Sequence, residues 1–127
     1  MKKSAKRISD LVSPRQQRNW DWRAAANFIA GGAGGGLLLF NALVSVEPGL
    51  IRAAILLGLM LIGGGLTCVW FEIGRPWRAL NVYRHFGTSW MTREAFVALV
   101  LFPVGALALL TLQPQLVMLS GILGLVF

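Results

Sequence analysis

The chain has 127 residues and a net charge of +7; 56% of its residues are apolar and only 13% are charged, about half the charged fraction of a typical soluble domain. The mean hydropathy of +0.66 is too high for a water-exposed surface around so small a core. These values exclude a soluble globular domain and a disordered chain, and the single cysteine, Cys68, excludes a disulfide-stapled one. The composition predicts an integral membrane protein.

Four apolar stretches follow a basic amino-terminal segment, residues 1–23. Three of them are long enough for a helix to cross a hydrocarbon core of about 30 Å, namely 24–46, 53–71 and 95–112. Pro103 lies inside the third, where membrane helices tolerate a kink. The fourth stretch, 116–127, is too short to span and is interpreted as a truncated helix. The predicted fold is an all-α polytopic transmembrane helix bundle of three complete helices plus a truncated fourth, with an interfacial loop over 72–94.

The basic residues form two clusters, one in the amino-terminal segment and one in the loop 72–94, and Arg52 stands alone between them. Motifs that read bases or follow nucleic-acid phosphates are absent, which excludes nucleic acid as a partner. Basic clusters beside apolar spans are typical of topology signals and of contacts to anionic membrane lipid. If both clusters face the cytoplasm, eleven basic residues lie inside and one outside. We therefore expect a multi-pass protein with a cytoplasmic amino terminus.

Glycine clusters fall in the first two spans. The first span contains two overlapping registers of glycines four residues apart, Gly31 with Gly35 and Gly32 with Gly36. The second span contains a cluster at residues 63–65. A phosphate-binding glycine loop needs a preceding strand, which this sequence does not predict. Close helix packing is the favoured interpretation. The alternative is a glycine face that admits a flat ring or a lipid tail.

Residues suited to chemistry are concentrated between positions 70 and 95. A quinol releases two electrons and two protons at the boundary of lipid and water, so its site needs flat apolar walls, hydrogen bonds to the ring oxygens and a proton acceptor. The candidates are Trp70, Phe71, Trp77 and Trp90 for the walls, Asn81, Tyr83 and His85 for the hydrogen bonds, and Glu94 or Glu72 for the protons.

Structural interpretations of the same residues stay open. Glu72 can pair with Arg75 and end the second helix, and the loop arginines can bind lipid phosphates. The tryptophans can be interface anchors. We expect Glu94 in the first turn of the third helix, after Ser89 or Thr92 as the cap, where the helix dipole favours an anion.

Redox cofactors are not expected within this chain. A membrane haem with two histidine ligands needs histidines inside helices, whereas His85 is alone in the loop. One cysteine cannot hold an iron–sulfur cluster, and no zinc-binding constellation is present. Electrons that pass through the protein must therefore be exchanged with a partner.

Residues 72–79, with the pattern E-x-G-R-P-x-R-A, and residues 89–94, with the pattern S-x-x-T-x-E, form a fairly specific pair of motifs. They resemble the corresponding turn and third-helix start of the dimethyl sulfoxide reductase membrane-anchor subunits and the related NrfD-like polysulfide reductase anchors. The likeness extends over about residues 20–112. It includes Trp20 and Trp22 at the entry to a glycine-rich first helix.

The resemblance implies a haem-free anchor that binds menaquinol or ubiquinol beside a ferredoxin-like iron–sulfur subunit, which in turn contacts a molybdopterin catalytic subunit. By motif position, Glu94 matches a family glutamate associated with the quinol site. Glu72 stands where the family has a histidine with a similar association. Because family members have about eight helices, the chain resembles their amino-terminal half. The resemblance also implies that the protein lies in a bacterial inner membrane.

The leading hypothesis is therefore a quinone-reactive anchor subunit with its quinone site near Glu94. Partner docking is assigned to the basic amino-terminal segment and to Arg75, Arg78, Arg84 and Arg93. In the dimethyl sulfoxide reductase anchor the loop is periplasmic, whereas the charge distribution here predicts a cytoplasmic loop and cytoplasmic catalytic subunits. Two alternatives are a small four-helix proton-coupled transporter, which needs an acid in mid-membrane, and a passive anchor without quinone contact.

Overall fold

The computed structural model describes residues 21–45, 47–72 and 90–127, apart from the side chain of Trp90. Its helices are α1 (Trp22–Leu43), α2 (Pro48–Glu72), α3 (Trp90–Thr111) and α4 (Pro114–Val126). The described ranges contain no strand. Three of the helices are long and apolar enough to cross a membrane, and α4 is shorter. The predicted all-helical membrane fold is thus confirmed.

Two helices begin about five residues before the apolar runs that predict them. Pro48 starts α2, because the fixed φ angle of proline suits the first helical position and its missing N–H is not needed there. In α3, the polar residues at the membrane boundary are already helical, so the helix starts at Trp90 and not at residue 95. An apolar run marks the part of a helix inside lipid and not the turn that precedes it.

This earlier start corrects two expectations about the third helix. Glu94 is the fifth residue of α3 and therefore lies in the second turn, not in the first. Thr92 lies within the helix and is buried, so it is not the cap. Ser89, the other predicted cap, lies outside the described residues.

The helices are arranged as a ring in chain order. α1 packs against α2 and α4, and α3 packs against α4 and more weakly against α2. The backbones of the described parts of α1 and α3 do not approach each other closely. The shared core is built from fully buried aliphatic side chains, chiefly Leu38, Ile55, Ile62 and Leu101.

Two adjacent glycines let α1 approach both of its neighbours closely. A Cβ atom on Gly34 would lie 2.6 Å from the carbonyl oxygen of Gly58 in α2, which is far inside a normal contact. A Cβ on Gly35 would overlap the carbonyl group of Gly124 in α4. Close approach of backbones at small residues is the usual basis of helix association in membranes, where lipid competes equally for apolar side chains.

The amino end of α1 is fixed beside the carboxyl end of α2. Asp21 caps α1 by accepting a hydrogen bond of 2.8 Å from the backbone N–H of Arg23. The Nη1 group of Arg23 donates a hydrogen bond of 3.3 Å to the carbonyl oxygen of Phe71. The last carbonyl groups of a helix lack intrahelical partners and favour a cation, so this contact stabilises the end of α2.

A two-residue turn joins α3 to α4. Leu112 adopts a left-handed backbone conformation with φ of 53°, and its N–H donates a hydrogen bond of 2.9 Å to the carbonyl oxygen of Ala108. Pro114 then starts α4 at a position that suits proline. The short turn holds the two helices antiparallel and side by side.

The glycine contacts predict a position-specific effect on stability. Replacement Gly34→Leu places a side chain against the α2 backbone and is expected to lower the free energy of unfolding by about 1–3 kcal/mol, the range of overpacked cores. Gly64→Leu is the matched control, because a Cβ at Gly64 meets no atom within 4 Å. Unfolding in mixed detergent micelles, followed by circular dichroism, measures both; equal losses would contradict the assigned role of Gly34.

Candidate functional site

A cleft with a volume of about 320 Å³ lies along α1, with α4 on one side and the start of α3 on the other. This volume is at the lower end of the range for ligand pockets. Four glycines of α1 contribute to its lining, together with Asn27 and with Glu94 from α3. The cleft therefore joins residues that the sequence places in three different helices.

The two glycine registers of α1 have different surroundings. Gly31 lies under the ring of Phe127, whose Cε1 would be 2.9 Å from an added Cβ, and Gly35 packs on Gly124. Added Cβ atoms at Gly32 and Gly36 would meet nothing within 4 Å, although both residues line the cleft. The first register thus packs helices, as the favoured interpretation states. The second remains uncovered in the described structure, as the alternative requires.

The polar groups of the cleft are an amide and a carboxyl group. Asn27 is the sixth residue of α1 and is 92% buried, since 8% of its surface is exposed. Its Oδ1 atom has no hydrogen-bond partner among the described residues. Glu94 is half-buried. Each residue lies about 6–8 Å from the start of its helix, so both occupy the boundary region of the predicted spans.

Glycine at position 65 of α2 provides the space for the Asn27 amide. A Cβ on Gly65 would lie 3.0 Å from Oδ1 of Asn27 and 3.1 Å from its Cα. Any larger residue there would push Asn27 away from α2. The buried amide therefore depends on a glycine that does not itself line the cleft.

Aromatic and aliphatic side chains form the walls. Phe28 and Leu125 line the cleft and are 54% and 66% exposed. Phe127 also lines the cleft, and its ring packs against the α1 backbone at Gly31. Two of the wall residues are therefore also on the outer surface of the bundle, within helices whose composition predicts contact with lipid.

The structure brings some predicted site residues to this cleft and leaves others apart from it. Glu94 lines it, whereas Glu72 is the last residue of α2 and does not. Trp70 and Phe71 are exposed and lie outside the cleft lining, so the walls come from other aromatic residues. Arg93 is exposed on α3. Predictions at Arg75, Trp77, Arg78, Asn81, Tyr83, Arg84 and His85, and for the side chain of Trp90, lie outside the described residues.

The sequence patterns did not identify several residues of the cleft, among them Asn27, Phe28 and Phe127. Asn27 had a usable signal, because an amide inside an apolar membrane span is costly and marks a functional position. Phe28 and Phe127 had none, because their role depends on α4 packing against α1. As for metals, the described ranges hold no group of three histidine, cysteine, aspartate or glutamate residues close enough to bind one.

Comparison with known proteins agrees with the motif evidence. The family model "Polysulphide reductase, NrfD" matches residues 11–126 and so includes all four helices. Neither a curated protein nor a solved structure matches the chain significantly. Proteins of the matched family are membrane anchors of quinone-interacting oxidoreductase complexes, and they generally partner with iron–sulfur and molybdopterin subunits.

The unpartnered amide predicts that Asn27 is not retained for stability. Leucine has the same branching as asparagine, so Asn27→Leu removes the unsatisfied polar group with little change of shape. We expect the free energy of unfolding to stay the same or to rise by about 1 kcal/mol, because a buried polar group without a partner is destabilising. Detergent unfolding measures the change. A loss above about 2 kcal/mol would instead show that Asn27 has a bonding partner beyond the described residues.

Proposed function

The chain belongs to the NrfD polysulphide reductase family, and on that premise we propose that it is the quinone-reactive anchor subunit of a membrane oxidoreductase complex. It exchanges electrons between the quinone pool, menaquinone or ubiquinone, and a partner iron–sulfur subunit. The observation that carries the proposal is the cleft, where Asn27 and Glu94 lie at the polar end of an otherwise apolar lining.

The cleft has the groups that quinol chemistry requires. The Oδ1 atom of Asn27, which has no partner in the described structure, can accept a hydrogen bond from a hydroxyl group of quinol, and the Nδ2 group of the same amide can donate one to a carbonyl oxygen of quinone. Phe28 and Phe127 offer flat apolar faces to the ring. Glu94, near the membrane boundary, accepts the protons that quinol oxidation releases and passes them to water. The two electrons leave to the partner, and reduction of a quinone uses the same steps in reverse.

The partners proposed are a ferredoxin-like iron–sulfur subunit and a molybdopterin catalytic subunit. Support comes from the family, whose members generally assemble with such subunits, and from the basic charge of the surface that would receive them. Arg93 is exposed at the start of α3. The sequence adds further basic residues before α1 and between α2 and α3, namely the amino-terminal segment and Arg75, Arg78 and Arg84. The closer kinship to dimethyl sulfoxide reductase anchors rests on the motifs alone.

A proton-coupled transporter has less support from the geometry. Such a protein needs an acid in mid-membrane, and the acids in the described helices are Glu72, at the last position of α2, and Glu94, in the second turn of α3. Neither lies at the middle of its helix. The other alternative, a passive anchor that does not contact quinone, is tested by the Glu94→Gln substitution.

Glu94→Gln tests the proton-acceptor role, because it keeps the size and polarity of the side chain and removes the ionisable group. The complex is purified through a tag on this chain, and its subunits, iron and molybdenum are measured. We expect the variant to assemble normally and to oxidise quinol about a hundredfold more slowly, within the usual contribution of a general base.

Glu47→Gln is the matched control for this experiment. Glu47 is an exposed glutamate that precedes α2, at the end of the bundle opposite to Glu94, and its replacement should leave turnover unchanged. Full activity of Glu94→Gln would favour the passive anchor. Purification of the chain without iron and molybdenum subunits would contradict the proposed partners.

We further propose that the amino terminus and the connection between α2 and α3, residues 73–89, are cytoplasmic, with the catalytic subunits on that side of a bacterial inner membrane. Support is the charge distribution of eleven basic residues against one. Alkaline phosphatase and green fluorescent protein fused after Pro48 and after Gly87 measure the topology. Phosphatase activity is expected only at Pro48 and fluorescence only at Gly87; the reverse pattern would place the partners in the periplasm.

A further inference from the structure

We propose that Gly32 and Gly36 form a track for the polyprenyl tail of the quinone, and that these two glycines let the site accept quinones with long tails. This inference rests on the proposed function, since it names which part of the ligand each part of the cleft holds. It assigns a role to the glycine register that does not pack helices.

The length and polarity of the cleft match a ligand with a polar head and a long apolar tail. Its lining on α1 runs from Asn27 to Leu39, a distance of about 18 Å at the helical rise, which is much longer than an aromatic ring. The polar groups, Asn27 and Glu94, belong to the boundary end. A ring held there leaves the inner part of the cleft to its substituent.

The inner part has a floor without side chains. Gly32 and Gly36 lie one turn apart on α1, both are exposed, and added Cβ atoms would meet nothing within 4 Å. The neighbouring register cannot serve, because Gly31 and Gly35 are covered by Phe127 and Gly124. The open strip therefore continues from the ring position towards the membrane centre beside α4.

The track contributes through shape and not through hydrophobicity. Lipid surrounds an isoprenoid chain as favourably as apolar protein does, so moving the tail from lipid to protein gains little. A chain attached to a ring at the polar end must nevertheless leave the cleft along a path that is free of atoms. A side chain on the strip blocks that path for tailed quinones and leaves ring binding intact.

Gly36→Leu tests the proposal with two probes that share one naphthoquinone ring. Menadione has no tail, and phylloquinone carries a long phytyl tail. Binding to the purified full chain in nanodiscs is followed by quenching of tryptophan fluorescence, with empty nanodiscs as reference. We expect the variant to bind phylloquinone about tenfold more weakly, as expected from moderate overpacking, and menadione as the wild type does.

Gly64→Leu is the control, since Gly64 is an equally open glycine on α2 that does not line the cleft; it should bind both probes normally. Gly36→Ala, the second variant, should weaken phylloquinone binding by a smaller factor and keeps the test valid if the leucine variant fails to fold. Unchanged phylloquinone binding in both variants overturns the tail track, and so does an equal loss for menadione. Failure of the wild type to bind either probe contradicts the proposed function itself.

Discussion

The contact on which the rest of the structure depends is the pair of backbone approaches that α1 makes through adjacent glycines. Residues that follow one another on a helix point about 100° apart, so Gly34 and Gly35 bring α2 and α4 against two different sides of α1. With α2 and α4 on these two sides, α3 completes the ring through its contacts with α4 and α2. Glu94, at the start of α3, and the remaining α1 glycines line the cleft that lies between these two helices.

Packing through glycine also explains why polar residues can occupy this end of the bundle. The helices are held by backbone contacts and an aliphatic core, so Asn27 has no packing role that an apolar residue could not fill. A buried amide without a bonding partner is nevertheless rare and calls for an explanation. A ligand hydroxyl group that donates a hydrogen bond to Oδ1 of Asn27 is an explanation that also fits the apolar walls and the carboxyl group of Glu94.

The sequence predicted the helices more completely than the site, for a physical reason. Hydropathy identifies the three spans and the short fourth helix, because composition alone decides what lipid can surround. It misplaced the start of α3, since the polar turn at the boundary is helical without being apolar. Glu94 was identifiable from its motif. Asn27 was identifiable because an amide within an apolar membrane span costs free energy. The contact between Phe127 and Gly31 was not identifiable from the sequence, because it depends on which helices become neighbours.

The separation of α1 and α3 has a consequence for how the protein can vary. Because the backbones of α1 and α3 do not approach each other closely in the described structure, the width of the space between Glu94 and the α1 glycines depends on how α2 and α4 hold these two helices. A methyl group gained at Gly124 would press on the Gly35 backbone and tilt α4, and the two-residue turn at Leu112 would transmit that tilt to α3. Substitutions in α4, whose part of the lining contains no polar side chain, thus change the width of the cleft and with it the size of the ring that fits.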